Sequence, residues 1–172
     1  METDDRGTAA ERFGSLTGAG AHRGEPATAA TLAVAAVAGL VAAVVGGIAW
    51  GLIVKWSEYE IGFVAWGIGF VVGMAVLLAA RGRKGLPLQA IAIVAALIGI
   101  LIGKYLSFAL ILQDAADAEG VELSLFGADM RQAFQDELGT VFALWDLLWI
   151  GLAVVTAWQI LQPEEAEAEP AV

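Results

Sequence analysis

Three charged residues in or beside long apolar segments could do chemistry: Glu60, Lys104 and Asp146. If those segments cross a membrane, an unpaired charge inside one costs about 3 kcal/mol. The long stem of Lys104 can reach toward the headgroups and lower this cost, whereas the short side chain of Asp146 cannot. We therefore expect Lys104 to pair with Asp146 or Glu60, either as an ion or proton site or as a salt bridge that fixes helix register.

Other kinds of chemistry have little support in the sequence. It has no cysteine, and its single histidine, His22, lies in a polar stretch rich in glycine and alanine. HExxH, GxSxG and phosphate-binding glycine loops are absent, and Ser107, one turn from Lys104, would need an oxyanion hole that the sequence does not provide. We predict no enzyme, with no catalytic residue, metal or cofactor. The net charge of −10 also argues against nucleic acid as a partner.

The elements that must position these residues are apolar helices. Hydrophobic residues make up 59% of the chain, and the mean hydropathy is +0.74. Each apolar run reaches the ~20 residues that a helix needs to cross a bilayer, and an open sheet would leave amides unpaired in lipid. The sequence therefore predicts an all-α, integral membrane four-helix bundle, with spans at 29–54, 61–80, 86–112 and 140–161.

The distribution of basic residues predicts the orientation. Six lie before the first span or between the second and third: Arg6, Arg12, Arg23, Arg81, Arg83 and Lys84. Only Lys55 and Arg131 lie in the loops on the other side, so we expect both termini in the cytoplasm. Lys104 follows Pro87 by 17 residues, or about 26 Å of helix, which places it in the outer third of its span, at a depth similar to Asp146 and Glu60.

The segments outside the spans are polar. Residues 1–28 and 163–172 have the composition of disordered tails, the second one acidic. In the outer loop, 113–139, the residues Met130, Phe134 and Leu138 follow one another at four-residue spacing, which predicts a short amphipathic helix from Gly127 to Leu138. Such a helix could lie at the membrane interface or cap the helices below it.

Three predicted spans contain glycine pairs at GxxxG spacing: Gly47 and Gly51, Gly69 and Gly73, and Gly99 and Gly103. Glycines at this spacing let two helix backbones approach closely, which matters because lipid gives helices no hydrophobic reason to associate. They could serve dimerisation, or they could serve packing among the chain's own helices, which we favour.

Several short segments carry a resemblance to known proteins: Tyr59-Glu60-Ile61-Gly62, Ala65-Trp66-Gly67, Gly103-Lys104-Tyr105-Leu106, and Trp145-Asp146-Leu147-Leu148-Trp149 followed by Thr156-Ala157-Trp158. Together they resemble a family of small, uncharacterised multi-pass membrane proteins of bacteria, over roughly residues 45–160. The resemblance implies a bacterial inner-membrane protein in which Glu60, Lys104 and Asp146 occupy motif positions, and it implies no activity. Some of those proteins have a cysteine-rich segment before the spans, which this sequence lacks.

Two functional hypotheses remain. The first is a non-catalytic membrane scaffold or accessory subunit, with the lipid bilayer and either a second copy or another membrane protein as partners. The second is a small oligomeric transporter or channel that uses Glu60, Lys104 and Asp146 as an ion or proton site.

Overall fold

The structure is a computed structural model that describes residues 27–57, 62–142 and 144–163. All regular secondary structure in these ranges is helical. The helices are α1 (Ala29–Ser57), α2 (Phe63–Ala79), α3 (Leu86–Ala118), α4 (Ala128–Asp136), α5 (Leu138–Val141) and α6 (Leu144–Ile160). The two predicted tails lie almost wholly outside the described residues, and Glu60 lies outside them as well.

The four long helices, α1, α2, α3 and α6, alternate in direction. Gln89 near the start of α3 donates a hydrogen bond to the carbonyl of Trp158 near the end of α6, so these two helices are antiparallel. Gly39 and Gly46 of α1 approach Val76 and Ile68 of α2, which makes that pair antiparallel too. One end of the assembly therefore holds the basic α2–α3 loop, and the other holds the acidic segment that follows α3.

Small residues form much of the contact between the helices, and many large aliphatic residues face outward. In α1 the fully buried stripe advances four residues at a time through Ala35, Gly39, Ala43, Gly47 and Gly51. The outer faces are aliphatic: Val37, Val45 and Leu78, for example, are at least 61% exposed. Exposed aliphatic side chains in such number are rare on a water-soluble monomer.

Two helices, α1 with 29 residues and α3 with 33, are long and apolar enough to cross a membrane. The apolar helices α2 and α6 have 17 residues each, or about 25 Å of length. At 33 residues α3 is about 50 Å long and is the longest of the four.

Several helix boundaries differ from the predicted ones. The third helix does not end at Leu112 but continues to Ala118, because the polar stretch after Leu112 is rich in alanine and favours helix. The predicted fourth span is interrupted: α5 ends at Val141, Phe142 has extended backbone angles, and α6 begins at Leu144. The loop helix is shorter than predicted and covers Ala128–Asp136.

Candidate site: a buried lysine beside an interrupted helix

Lys104 is the centre of the candidate site. Its side chain is 1% exposed, and it projects from α3 toward the junction of α5 and α6. There Nζ lies 2.9 Å from Oδ1 of Asp146 and donates a second hydrogen bond, also of 2.9 Å, to the carbonyl oxygen of Val141. One ammonium group thus binds the last residue of α5 and the first turn of α6.

Both acceptors suit their places in the chain. Val141 ends α5, where a carbonyl has no partner within its own helix, so the ammonium supplies the missing donor. Asp146 lies in the first turn of α6, where the helix dipole also favours a negative charge. The predicted span 140–161 places Asp146 six residues inside a continuous helix, and the interruption instead puts it at a helix start.

Aromatic rings enclose the ammonium. Nζ lies 5.9 Å from the ring centre of Trp50 on α1 and 5.6 Å from that of Phe142. Such rings attract a cation through their negative faces while keeping water away. Trp50 is fully buried, and its Nε1–H has no hydrogen-bond acceptor among the described residues.

The two remaining residues proposed from the sequence contribute differently. Ser107 is buried, but its hydroxyl donates to the carbonyl of Gly103 on its own helix, at 2.8 Å. That bond ties the hydroxyl to the backbone rather than presenting it as a nucleophile. Glu60 lies outside the described residues, so the structure brings together only Lys104 and Asp146 of the three charged residues.

The six glycines of the GxxxG pairs all lie at contacts between helices of this chain. A Cβ on Gly47 would lie 2.7 Å from the carbonyl oxygen of Gly99, and a Cβ on Gly69 would lie 2.5 Å from that of Ala153. Gly51, Gly73, Gly99 and Gly103 would likewise bring a Cβ within 3.0 Å of an atom of another helix. Gly103 also admits Trp50, because a Cβ there would lie 2.5 Å from the indole ring.

Sequence reasoning missed several contributors to this site and its surroundings. Val141, Trp50 and Phe142 reach Lys104 only through the tertiary fold, and their spacing in the sequence gives no signal. A second cross-link was also missed: Trp66 Nε1 on α2 donates a 2.9 Å hydrogen bond to Oγ1 of Thr156 on α6.

The outer segment closes over this end of the helices. Met130 and Phe134 of α4 are buried, and the Phe134 ring packs edge-on against Tyr105 and Phe108 of α3. Leu138, the third residue of the predicted stripe, falls in α5 and is 41% exposed. Of the two hypotheses for this helix, its contacts match a cap on the helices.

A second ion pair lies farther out on α3. Lys55 Nζ, near the end of α1, lies 2.9 Å from Oδ1 of Asp114. Ten residues separate Asp114 from Lys104, which is about 15 Å along the helix. This pair is open to the surroundings, with side-chain exposures of 33% and 54%.

The described residues contain no group of three or more histidine, cysteine or acidic side chains arranged to hold a metal ion. Comparison with protein-family models, with curated proteins and with solved structures finds no match for this chain. A function must therefore be argued from the geometry of the chain itself.

Proposed function

We propose that this chain is a multi-pass membrane protein with four spans and both termini in the cytoplasm, and that it acts as a non-catalytic scaffold or accessory subunit. One observation carries the proposal: the buried charge and the packing glycines are all engaged with other parts of the same chain. Lys104 binds Asp146 and Val141 at 2.9 Å each, inside aromatic walls.

The outward-facing aliphatic surface supports membrane insertion. Only 22% of the most apolar window of α1 is buried within the chain, and 44% of that of α3. A core helix of a water-soluble protein would be mostly buried, and aliphatic patches of this extent are rare on soluble monomers. The shorter helices, α2 and α6, at about 25 Å, lie at the lower end of the lengths that span a bilayer.

The separation of charge between the two ends supports the orientation. Arg81, Arg83 and Lys84 lie in the α2–α3 loop, and the chain leaves α6 at that same end. Acidic residues dominate the opposite end: Asp114, Asp117, Glu119, Glu122, Asp129, Asp136 and Glu137. Loops on the cytoplasmic side of a membrane carry an excess of lysine and arginine. In this proposal the α2–α3 loop and the end of α6 therefore face the cytoplasm.

The orientation can be tested cleanly, because the sequence has no cysteine. In intact spheroplasts, a membrane-impermeant maleimide should label Glu119→Cys, in the outer segment, and should leave Gln162→Cys, after α6, unlabelled until the membrane is permeabilised. The reverse pattern would overturn the orientation, and labelling of both before permeabilisation would overturn the four spans.

The scaffold role is supported by the contacts that hold the charged site. Asp146, the Val141 carbonyl and the rings of Trp50 and Phe142 all contact its ammonium. Such a site fixes how α3, α5 and α6 sit together, which is the structural role open to a buried ion pair. The surface left for a partner is then the aliphatic exterior of the helices.

Reconstitution in liposomes tests the scaffold against transport. The purified chain should give no flux of protons, sodium or potassium above that of empty liposomes. Crosslinking in the native membrane should capture a defined complex with a stoichiometric partner, and a Gly67→Ala variant, altered where nothing lies within 4 Å, should give the same complex. Flux from the chain alone would overturn the scaffold.

A specific observation favours the second candidate, a small oligomeric transporter or channel with an ion or proton site at Lys104, Asp146 and Glu60. Interrupted helices beside buried charges are typical of transporter binding sites, and here α5 stops and α6 starts at Lys104. Under this candidate, Asp146→Asn abolishes flux and leaves the unfolding temperature close to that of the parent. A flux that is equal in Asp146→Asn and the parent would exclude it.

A further inference from the structure

An apolar groove opens on the outside of α1 and α3, on the side that α4 covers at one end. It has a volume of about 520 Å³. Val44, Ile48 and Leu101 line its deeper part and are each at least 41% exposed. The groove is therefore an open channel along the helices, rather than an enclosed core cavity.

The outer end of the groove is polar. Arg131 and Gln135 of α4 line it, next to the ring of Phe126. The guanidinium of Arg131 donates one 2.7 Å hydrogen bond, from NH1 to the carbonyl oxygen of Phe126. A guanidinium has five N–H donors, and the structure gives this one no second acceptor among the described residues, so it retains donors that could bind a group at this end of the groove.

An apolar channel that ends in a guanidinium matches the layout of one phospholipid. The acyl chain fits along Val44, Ile48 and Leu101, and the phosphate diester fits the planar donors of Arg131, which bind phosphate two bonds at a time. The depth order also agrees, because α4 lies at the outer end of the helices and the aliphatic lining lies below it.

The acidic residues near Arg131 in the sequence bear on the choice of headgroup. Asp129 and Asp136 lie on the same short helix, and Glu137 follows it, so carboxylates outnumber the single cation. They oppose a lipid with a net negative headgroup and favour one whose phosphate carries an ammonium beside it.

We propose that this groove binds one zwitterionic glycerophospholipid with an amine headgroup, its phosphate on Arg131 and an acyl chain between α1 and α3. The proposal rests on the membrane insertion proposed above. It assigns α4 a second role beyond capping, as the element that holds the lipid headgroup.

The test is lipid binding to the purified, delipidated full chain, followed by native mass spectrometry with phosphatidylethanolamine. The parent should bind one molecule, and Arg131→Gln should weaken binding by about tenfold or more, as expected for loss of a charge-assisted contact. Arg83→Gln, which removes a basic residue at the opposite end, should bind like the parent. Phosphatidylglycerol should bind more weakly than phosphatidylethanolamine.

A second variant fills the groove instead of removing its charge. Ile48→Trp should lower lipid binding, while Leu78→Trp, at a 70% exposed position on α2, should not. Equal binding by the parent, Arg131→Gln and Ile48→Trp would overturn the lipid site. Tighter binding of phosphatidylglycerol than of phosphatidylethanolamine would overturn the headgroup assignment. A second copy of the chain bound in the groove in place of the lipid would overturn the lipid site.

Retention in membranes washed at alkaline pH separates the two proposals. A chain that stays in the washed membrane but binds phosphatidylethanolamine no better than Arg131→Gln overturns the lipid site alone. A chain released by the wash overturns the membrane proposal and the lipid site with it.

Discussion

The two ion pairs on α3 have the same chemistry and the same length, yet they lie in opposite surroundings. Lys104–Asp146 and Lys55–Asp114 both bring Nζ to 2.9 Å from a carboxylate oxygen. The lysine side chain is 1% exposed in the first pair and 33% exposed in the second. A buried charge that loses its partner is costly, whereas a solvated one is not, so distance alone says little about the contribution of either pair.

The Lys104–Asp146 pair, the inner pair, also connects more helices than the outer pair, Lys55–Asp114. Lys104 joins α3 to both sides of the interruption between α5 and α6, through Val141 and Asp146. Lys55 joins α1 to α3, two helices that are already in close contact at Gly47 and Gly51. Loss of Lys104 therefore removes the hydrogen bond to Val141 and the ion pair to Asp146 together, and among the described residues leaves Gln89 to Trp158 as the hydrogen bond between α3 and α6.

The largest expected effect is that of Lys104→Met. It removes the ammonium from the largely buried Asp146 carboxylate and from the Val141 carbonyl, so the free energy of unfolding should fall by about 3–5 kcal/mol. Thermal unfolding in detergent, followed by tryptophan fluorescence, measures this. Unfolding at the temperature of the parent would show that the pair contributes nothing.

Next comes the packing that encloses the inner pair. Gly103→Ala places a methyl group 2.5 Å from the fully buried Trp50 ring, so something must shift, and we expect a loss of about 1–3 kcal/mol. Gly67→Ala is the matched control, because nothing lies within 4 Å of the added methyl group. If both variants unfold alike, close packing around Trp50 is not what holds the site.

A neutral cross-link should rank below the buried charge. Trp66→Phe removes the 2.9 Å hydrogen bond to Thr156 and keeps most of the ring, so we expect a loss of about 0.6 kcal/mol, typical of such bonds between membrane helices. The same unfolding assay measures it, with Trp158→Phe as the control for loss of an indole at a half-exposed position. A loss as large as that of Lys104→Met would mean that charge is not the reason the inner pair matters.

The smallest expected effect is that of Lys55→Met. The outer pair is exposed, so its loss should cost between about 0 and 1 kcal/mol, and added salt should shrink the difference from the parent. Unfolding curves at low and high ionic strength provide the measurement. A salt-independent loss above about 2 kcal/mol would contradict the contrast between the two pairs.

The inner pair could be foreseen from the sequence, because the cost of a lone charge in an apolar segment requires a partner for Lys104. The interruption could not, because the carbonyl of Val141 receives its donor from a residue 37 positions away. The two aromatic rings beside Lys104 could not be predicted for the same reason, since Trp50 and Phe142 are far apart in the sequence and come together at Lys104.

The length of α3 was also underestimated, because the helix ends at Ala118 rather than at Leu112. The predicted end at Leu112 followed the loss of hydropathy, but hydropathy reports the surroundings of a helix rather than its backbone. An alanine-rich polar segment such as the one after Leu112 still favours helix, so α3 continues past Leu112 and brings Asp114 to Lys55.

The most direct test of the central claim is a double-mutant cycle on the inner pair, measured as free energies of unfolding in one detergent. Lys104→Met and Asp146→Leu should each destabilise the chain strongly, and the double variant should recover stability, giving a coupling of about 2 kcal/mol or more. Such a coupling would show that each charge stabilises the fold through its contact with the other. A double variant that loses the sum of both single losses would contradict a structural pair and leave the buried lysine to another role.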